Sequence, residues 1–147
     1  PVFQIEKLYA KDLSLEIPNA PQVFVQQSEA PQIEVQISND SALFAENLYE
    51  VTVTVTVTAK AGERTLFLAE ATQAAIFTLR GVPAAEIDPL LGIACPNIVY
   101  PYVREAISDL VTRAGFPAVV LAPVAFEAIY AQRQQQASGA PRVEVAS

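Results

Sequence analysis

Residues 50–60 read EVTVTVTVTAK, four valines and four threonines in unbroken alternation. This pattern predicts a β-strand with one apolar and one polar face, because successive side chains of a strand point to opposite sides. The run carries no charge from 51 to 59, so it would attract a further strand if it lay at a sheet edge. We therefore expect this strand inside a sheet, flanked by Glu50 and Lys60.

Alternation recurs in three other segments of the N-terminal half: KDLSLEI (11–17), QIEVQIS (32–38) and RTLFLAEATQAAIFTL (64–79). The short AGE at 61–63 predicts a hairpin between the third and fourth strands. The connection 18–31 is too long for a hairpin, contains three prolines and carries an apolar VFV, so we expect it to fold back over the domain.

After Gly81 the pattern becomes helical. Within residues 95–115, apolar side chains recur at steps of three and four, Pro101 suits the first turn of a helix, and Gly115 suits its end. A second helix is predicted at 123–136. The apolar stripe of the first helix is wide, and two interpretations stay open: packing on the core alone, or packing on the core and on another subunit.

These elements predict an α+β fold, a four-stranded antiparallel sheet followed by helices packed on one face. We expect a single domain over 1–136 and a flexible tail over 137–147.

Composition excludes several classes of function. The chain has no histidine and a single cysteine, Cys95, so no Ser-His or Cys-His pair and no thiol cluster for a metal is available. The net charge of −7 disfavours nucleic acid and anionic lipid and favours basic partners, and no glycine-rich phosphate loop occurs. The sequence predicts a soluble cytoplasmic protein that is not an enzyme, with no cofactor, no metal and no membrane-spanning segment.

The alternation also distributes residues between the two sheet faces. We expect the valines to share a face with Phe67, Leu13, Leu15, Ile33, Val35 and Ile37, and to meet the helices. The opposite face, with the threonines, carries Asp12, Ser14, Glu16, Glu34, Gln36, Glu50, Glu70 and Thr72, and we expect it to expose Leu66 and Leu68. Such a face either keeps the protein soluble or docks a basic, partly apolar segment.

An enzymatic alternative uses Asp12 and Glu16 as a pair of carboxylates. Four residues apart on one strand, their side chains lie ~13 Å from each other, too far for a glycosidase pair.

Five segments resemble the SecB family of bacterial protein-export chaperones: YAKDLSLEIPNAP (9–21), LYEVTVTVTVTAK (48–60), LFLAEATQAAIF (66–77), CPNIVYPYVREAISDLV (95–111) and GFPAVVLAPVAFEAIY (115–130). The resemblance implies a homotetramer, a dimer of dimers with helices between two outer sheets. It also implies an ATP-independent holdase that binds unfolded preproteins and passes them to the SecA translocation ATPase.

The resemblance further implies two sets of site residues. Those that receive the zinc-bearing, basic C-terminal tail of SecA are similar in type and place to Asp12, Glu16, Leu68 and Glu70. The client-binding groove corresponds to Val23, Phe24 and Val25 of the long loop, Ile33, Val35 and Ile37 of the second strand, and Phe126, Ile129 and Tyr130 of the last helix.

Departures from the family pattern also bear on the site. Ala125 stands where an asparagine usually opens the last helix, which leaves the start of that helix open, and Ala74 and Ala75 stand where a glycine is common. An alternative function is a SecB-like chaperone dedicated to a toxin-antitoxin system. Retention of the four SecA-docking positions argues against it.

Overall fold

The computed structural model describes residues 1–26 and 30–137, which form one four-stranded antiparallel sheet and three α-helices. The strands are β1 (Val2–Glu16), β2 (Gln32–Ala45), β3 (Leu48–Ala61) and β4 (Arg64–Arg80). The helices are α1 (Ala84–Pro89), α2 (Cys95–Arg113) and α3 (Phe126–Ala137). The predicted α+β class is confirmed. Apart from Ala137, the predicted tail lies outside the described residues, and the division into domain and tail stays a prediction.

The strand order is β1-β4-β3-β2, so the valine-threonine strand β3 lies inside the sheet, as predicted. β1 and β2 occupy opposite edges. The segment between them must therefore cross the sheet, and it includes a short 3₁₀ turn at Gln22–Phe24. We call residues 17–31 the crossover loop.

The core lies between the central strands and α2. Side chains with no exposure line up on both sides of this contact: Val51, Val53, Val55 and Val57 of β3, and Val99, Val103, Ile107 and Val111 of α2. The small side chains of Ala69, Ala71 and Ala75 on β4 allow the helix to lie close to the sheet. A helix about 10 Å wide covers two strands spaced about 4.8 Å apart. The edge strands therefore keep part of their apolar face uncovered.

β1 is much longer than the predicted segment 11–17. Its register against β4 shifts between Ile5 and Lys7 and again between Ala10 and Asp12. Each shift is a bulge, which places two residues opposite one and interrupts the alternation. The prediction was wrong in length because the first bulged half of the strand shows no strict alternation.

The start of the long helix also differs from its prediction. A π-helical turn, Leu90–Ala94, joins α1 directly to α2, so α2 begins at Cys95. Pro96 lies in its first turn, while Pro101 lies inside the helix and not at its start. The continuous helical backbone from the π turn is the reason for this error.

The predicted end of α2 at Gly115 is confirmed. Gly115 has φ +92 and donates its N–H to the carbonyl of Thr112, and the Phe116 N–H bonds to the carbonyl of Val111. This pair of bonds is the Schellman arrangement, in which glycine adopts the left-handed conformation without a Cβ clash.

α3 begins at Phe126 and not at residue 123. The carbonyl of Ala125 accepts the N–H groups of Ala128 and Ile129, which marks Ala125 as the residue that precedes the first turn. Pro123 therefore lies outside the helix, and Ala125 offers its first turn no capping side chain.

We expect the two faces of β3 to respond differently to substitution. Val55→Thr places a hydroxyl in a site with no exposure and should lower the free energy of unfolding by about 1–3 kcal/mol. The matched control Thr52→Val, on the half-buried opposite face, should change it by less than about 0.5 kcal/mol. Urea denaturation at one fixed protein concentration measures both. Equal losses in the two variants would contradict the assigned faces.

Candidate functional site

The four predicted SecA-docking residues come together on the threonine face. The register places Glu16 opposite Leu68 and Ser14 opposite Glu70, while Asp12 lies one pair further along, opposite Thr72. A shallow cavity of about 190 Å³ lies here, lined by Ser14, Glu16, Thr56, Leu68, Ala69 and Glu70. The structure thus brings the acidic side chains and one apolar side chain onto two adjacent strands.

Leu66 does not join this surface. Ala59 pairs with Phe67 and Lys60 with Thr65, so Leu66 is the extra residue of a bulge in β4. It is 6% exposed, and the predicted exposure of two leucines was wrong because the bulge turns Leu66 inward. Leu68 alone supplies the apolar part, and it is half-buried.

A second group on the same face is already neutralised. The Glu50 carboxylate accepts hydrogen bonds from the Tyr9 hydroxyl and from Lys11 Nζ at 2.9 Å. These bonds, that from Tyr9 first, hold the pKa of Glu50 below its ordinary value, while burial and the bond to Glu50 raise the pKa of Tyr9 to about 12. Asp12, Glu16 and Glu70, by contrast, form no ion pair with another described residue. Three carboxylates without an ion partner among the described residues thus lie near Leu68.

The predicted groove residues fall into an exposed and a buried group. On β2, Ile33 is 44% and Val35 40% exposed, and both project on the valine face beyond the part that α2 covers. In the crossover loop, Phe24 and Val25 are exposed, whereas Val23 is buried. Ile37 and Ile129 are half-buried.

Phe24 is held in place by an aromatic row. Its ring lies 5.3 Å from the ring of Phe116, which lies 5.0 Å from that of Phe67. Gly115 makes room for it, since a Cβ there would lie 3.2 Å from a Phe24 ring carbon. Phe67 pairs with Ala59, and Ala59 with Ile33, so the loop and the start of β2 meet at the same end of the sheet.

On α3, Phe126 is buried and packs edge-on against Tyr100, which anchors the start of the helix. Tyr130 lies against the π turn, where a Cβ on Gly92 would lie 2.5 Å from its ring. Its hydroxyl donates to Asp88 at 3.0 Å. Of the three α3 residues in the predicted groove, Ile129 and Tyr130 keep some exposure.

Sequence reasoning missed Arg133, whose guanidinium bonds to Asn39 on β2. Asn39 follows Ile33, Val35 and Ile37 at the same two-residue step, so an amide stands in an apolar register. That break in the pattern was the available signal, but its partner on α3 is 94 residues away.

Within residues 1–26 and 30–137, no group of three potential ligands is placed to hold a metal ion. In the same part of the chain, no helix combines the length and apolar character needed to span a bilayer. The described residues form two open surfaces on opposite sides of one sheet. Such surfaces are suited to binding extended polypeptide segments.

A family model described as preprotein translocase subunit SecB matches residues 1–137. The protein-export protein SecB of Methylobacillus flagellatus is 60% identical over 136 residues, 92% of this chain and 86% of that protein. That of Neisseria meningitidis serogroup B is 58% identical over 142 residues, 95% of this chain and 96% of that protein. The chain therefore belongs to the SecB family. It is a protein-export chaperone and not an enzyme.

A solved SecB-like chaperone from Mycobacterium tuberculosis, in complex with an antitoxin peptide, superposes with a TM-score of 0.68. The match covers 84% of this chain and 91% of that one at 16% identity, so it shows the fold alone. The toxin-antitoxin alternative is not favoured, since the protein-export relatives are far more similar in sequence.

The hydrogen bonds from Tyr9 and Lys11 to Glu50 predict a pH-dependent contribution to the free energy of unfolding. Because the pKa of Glu50 is lowered in the folded chain, its contribution is complete above the ordinary value of 4.5 and is lost as the pH falls through the folded value. Glu50→Gln should therefore lower the free energy of unfolding near pH 7, and the gap to wild type should close below pH 4.5.

Urea denaturation between pH 7 and pH 3 measures this gap. Glu63→Gln, at the exposed β3–β4 turn, controls for the loss of a carboxylate without a described partner. A gap that stays constant down to pH 3 would contradict the role of the Tyr9 and Lys11 bonds.

Proposed function

We propose that this protein holds unfolded preproteins in an apolar groove without ATP and delivers them to the SecA translocation ATPase. One observation carries the proposal: a single sheet presents uncovered apolar residues at its β2 edge on one face and, on the other, carboxylates around Leu68 that have no ion partner among the described residues. A chaperone that must hold a client and dock on an ATPase at the same time needs two such separate surfaces.

The client surface is the valine-face edge of β2 together with Phe24 and Val25 of the crossover loop and the exposed parts of Ile129 and Tyr130. Burying apolar area contributes roughly 25 cal/mol per Å² whatever the order of the client's side chains, so the surface accepts many sequences. β2 is an edge strand, so outward backbone groups such as those of Ile33 and Val35 can bond to an extended client. The affinity for a client then depends on buried apolar area and on main-chain hydrogen bonds. Every unfolded chain offers apolar side chains and backbone groups for these interactions.

The partner surface consists of Asp12, Glu16, Leu68 and Glu70. Three carboxylates without ion partners among the described residues suit a basic segment, and Leu68 with its shallow cavity suits one apolar side chain. The family's partner of this chemistry is the zinc-bearing C-terminal tail of SecA. The zinc belongs to that tail, and we assign no metal to this chain.

The functional form that we propose is a cytoplasmic homotetramer, a dimer of dimers. β1 is a free edge 15 residues long whose valine face leaves Phe3, Ile5 and Leu13 exposed. Between β1 and α2 lies a cavity of about 440 Å³, lined in part by Leu8, Leu13, Tyr102, Ala106 and Leu110. A second copy would cover this apolar area. Several grooves on one body would then give avidity for a long client.

Glu70→Lys should weaken binding of a SecA tail peptide about tenfold at low salt, because an attraction is replaced by a repulsion. Affinity for an unfolded client should stay unchanged. Calorimetric titration at two salt concentrations measures both, and the loss should shrink at the higher one. Glu63→Lys makes the same charge change at the β3–β4 turn and is the matched control. Equal losses in the two variants would argue against a local docking site.

Val35→Ser should weaken client binding about fivefold, because it removes apolar area that the client buries. Gln36→Ser, one residue along β2 and on the opposite face, should leave client binding unchanged. Fluorescence titration with a permanently unfolded, labelled polypeptide measures the two affinities. A loss in Gln36→Ser as large as in Val35→Ser would place the client elsewhere.

A further inference from the structure

Arg133 on α3 bonds to the main chain of the edge strand β2. Its Nη2 donates to the Asn39 carbonyl oxygen at 2.6 Å and to Asn39 Oδ1 at 3.2 Å. Asn39 is 8% exposed and lies on the valine face, opposite Val53. A charged donor thus occupies a backbone acceptor of β2.

The hydrogen-bond phase of the sheet shows which way this acceptor points. The Leu79 N–H donates to the Asn47 carbonyl, so the adjacent pair of Leu48 and Thr78 is a non-hydrogen-bonded pair of the β3–β4 ladder. Such pairs recur at every second residue. No register shift intervenes before Thr54, so its pair with Thr72 is also non-hydrogen-bonded.

The backbone groups of Thr54 therefore point away from β4 and toward its β2 partner, Ser38. Asn39, the next residue of β2, points its N–H and C=O in the opposite direction, away from the sheet. The carbonyl that Arg133 occupies is thus on the outer edge of β2, where an added strand would bond.

The same phase applies to the other odd-numbered residues of β2. Their backbone groups point outward, while their side chains lie on the valine face: Ile33, Val35 and Ile37 before Asn39, and Ser41 and Leu43 after it. An extended client paired with this edge would contact both the outward backbone groups and the side chains of the valine face. Arg133 divides the edge between these two groups.

We propose that Arg133 is a positioning residue that limits main-chain pairing of an unfolded client to the part of β2 before Asn39. A client strand that continued past Asn39 would have to displace a charge-assisted hydrogen bond and the α3 side chain that makes it. Covering an edge in this way is a known means of blocking strand addition. This inference rests on the proposed groove, and it specifies the residue of β2, Asn39, at which main-chain pairing with the client ends.

Contacts other than that of Arg133 also hold α3. Phe126 is buried at the start of the helix, and Tyr130 lies against Gly92 with its hydroxyl bonded to Asp88. Gln134 Nε2 also donates to the Tyr130 hydroxyl at 2.8 Å. Removing the guanidinium should therefore free the edge while the helix stays in place.

The test is amide hydrogen exchange of the full chain with and without a permanently unfolded polypeptide. In the wild type, the client should slow exchange at Ile33, Val35 and Ile37 and leave Leu43 unchanged. The Ser41 N–H already donates to Asp40 Oδ1 at 2.9 Å, so Ser41 does not serve as a probe. In Arg133→Ala, slowing should extend to Leu43 by about tenfold, the effect of one net hydrogen bond. A change in overall stability alone would not move this boundary.

Two control variants separate the bond from the helix. Gln132→Ala makes a similar truncation at the adjacent exposed position, and Asp88→Ala removes the acceptor of the Tyr130 hydroxyl without touching the β2 edge. Both should keep the wild-type boundary. A boundary that moves equally in Asp88→Ala would assign it to the docking of α3 and overturn the role of Arg133.

The remaining outcomes distinguish the inference from the proposed function. Protection that already extends to Leu43 in the wild type, or a boundary unmoved in Arg133→Ala, would overturn the inference and leave the groove intact. No protection anywhere on β2 would overturn both the inference and the main-chain pairing in the proposed groove.

Discussion

The structure depends on the packing of one helix against the two central strands. The valines of β3 and the facing residues of α2 have no exposure, and the alanines of β4 set a close distance between them. This contact directs the threonines to the other face and places β3 and β4 at the centre. It also fixes what remains open, since one α-helix is wide enough for two strands of a four-stranded sheet.

Because α2 covers only the two central strands, apolar side chains stay exposed at both edges of the sheet. On β2, Ile33 and Val35 keep about two fifths of their surface exposed, and on β1 Leu13 keeps 51%. Exposed apolar residues on a strand edge would be a hazard in a protein without partners. We propose that the β2 edge is used for clients and the β1 edge for assembly. We also propose that the far face, which carries no helix of residues 1–26 and 30–137, serves the SecA tail.

Much of this arrangement could be predicted from residue patterns. Strict alternation identified β3 and β4, their hairpin and the membership of both faces, including Asp12, Glu16, Leu68 and Glu70. Bulges hid the first half of β1 and the inward turn of Leu66, because a bulge breaks the period on which the prediction rests. The π turn before Cys95 concealed the start of α2 in a similar way.

Tertiary contacts were beyond the reach of local pattern. Two contacts join segments that are far apart in the chain: the aromatic row from Phe24 to Phe67 and the bond from Arg133 to Asn39. The burial of Val23 and Phe126 likewise results from the packing of distant segments. An apolar residue in a loop or helix carries no local mark that tells a groove from a core. The division of the nine groove residues into exposed and buried members therefore required the fold.

We propose that clients and the SecA tail bind to opposite faces of one sheet. The most direct test is titration of a labelled SecA tail peptide into the protein, free and saturated with a permanently unfolded polypeptide. We expect the same tail affinity in both titrations and a ternary complex. Displacement of the tail by the client, or of the client by the tail, would show a shared surface and contradict it.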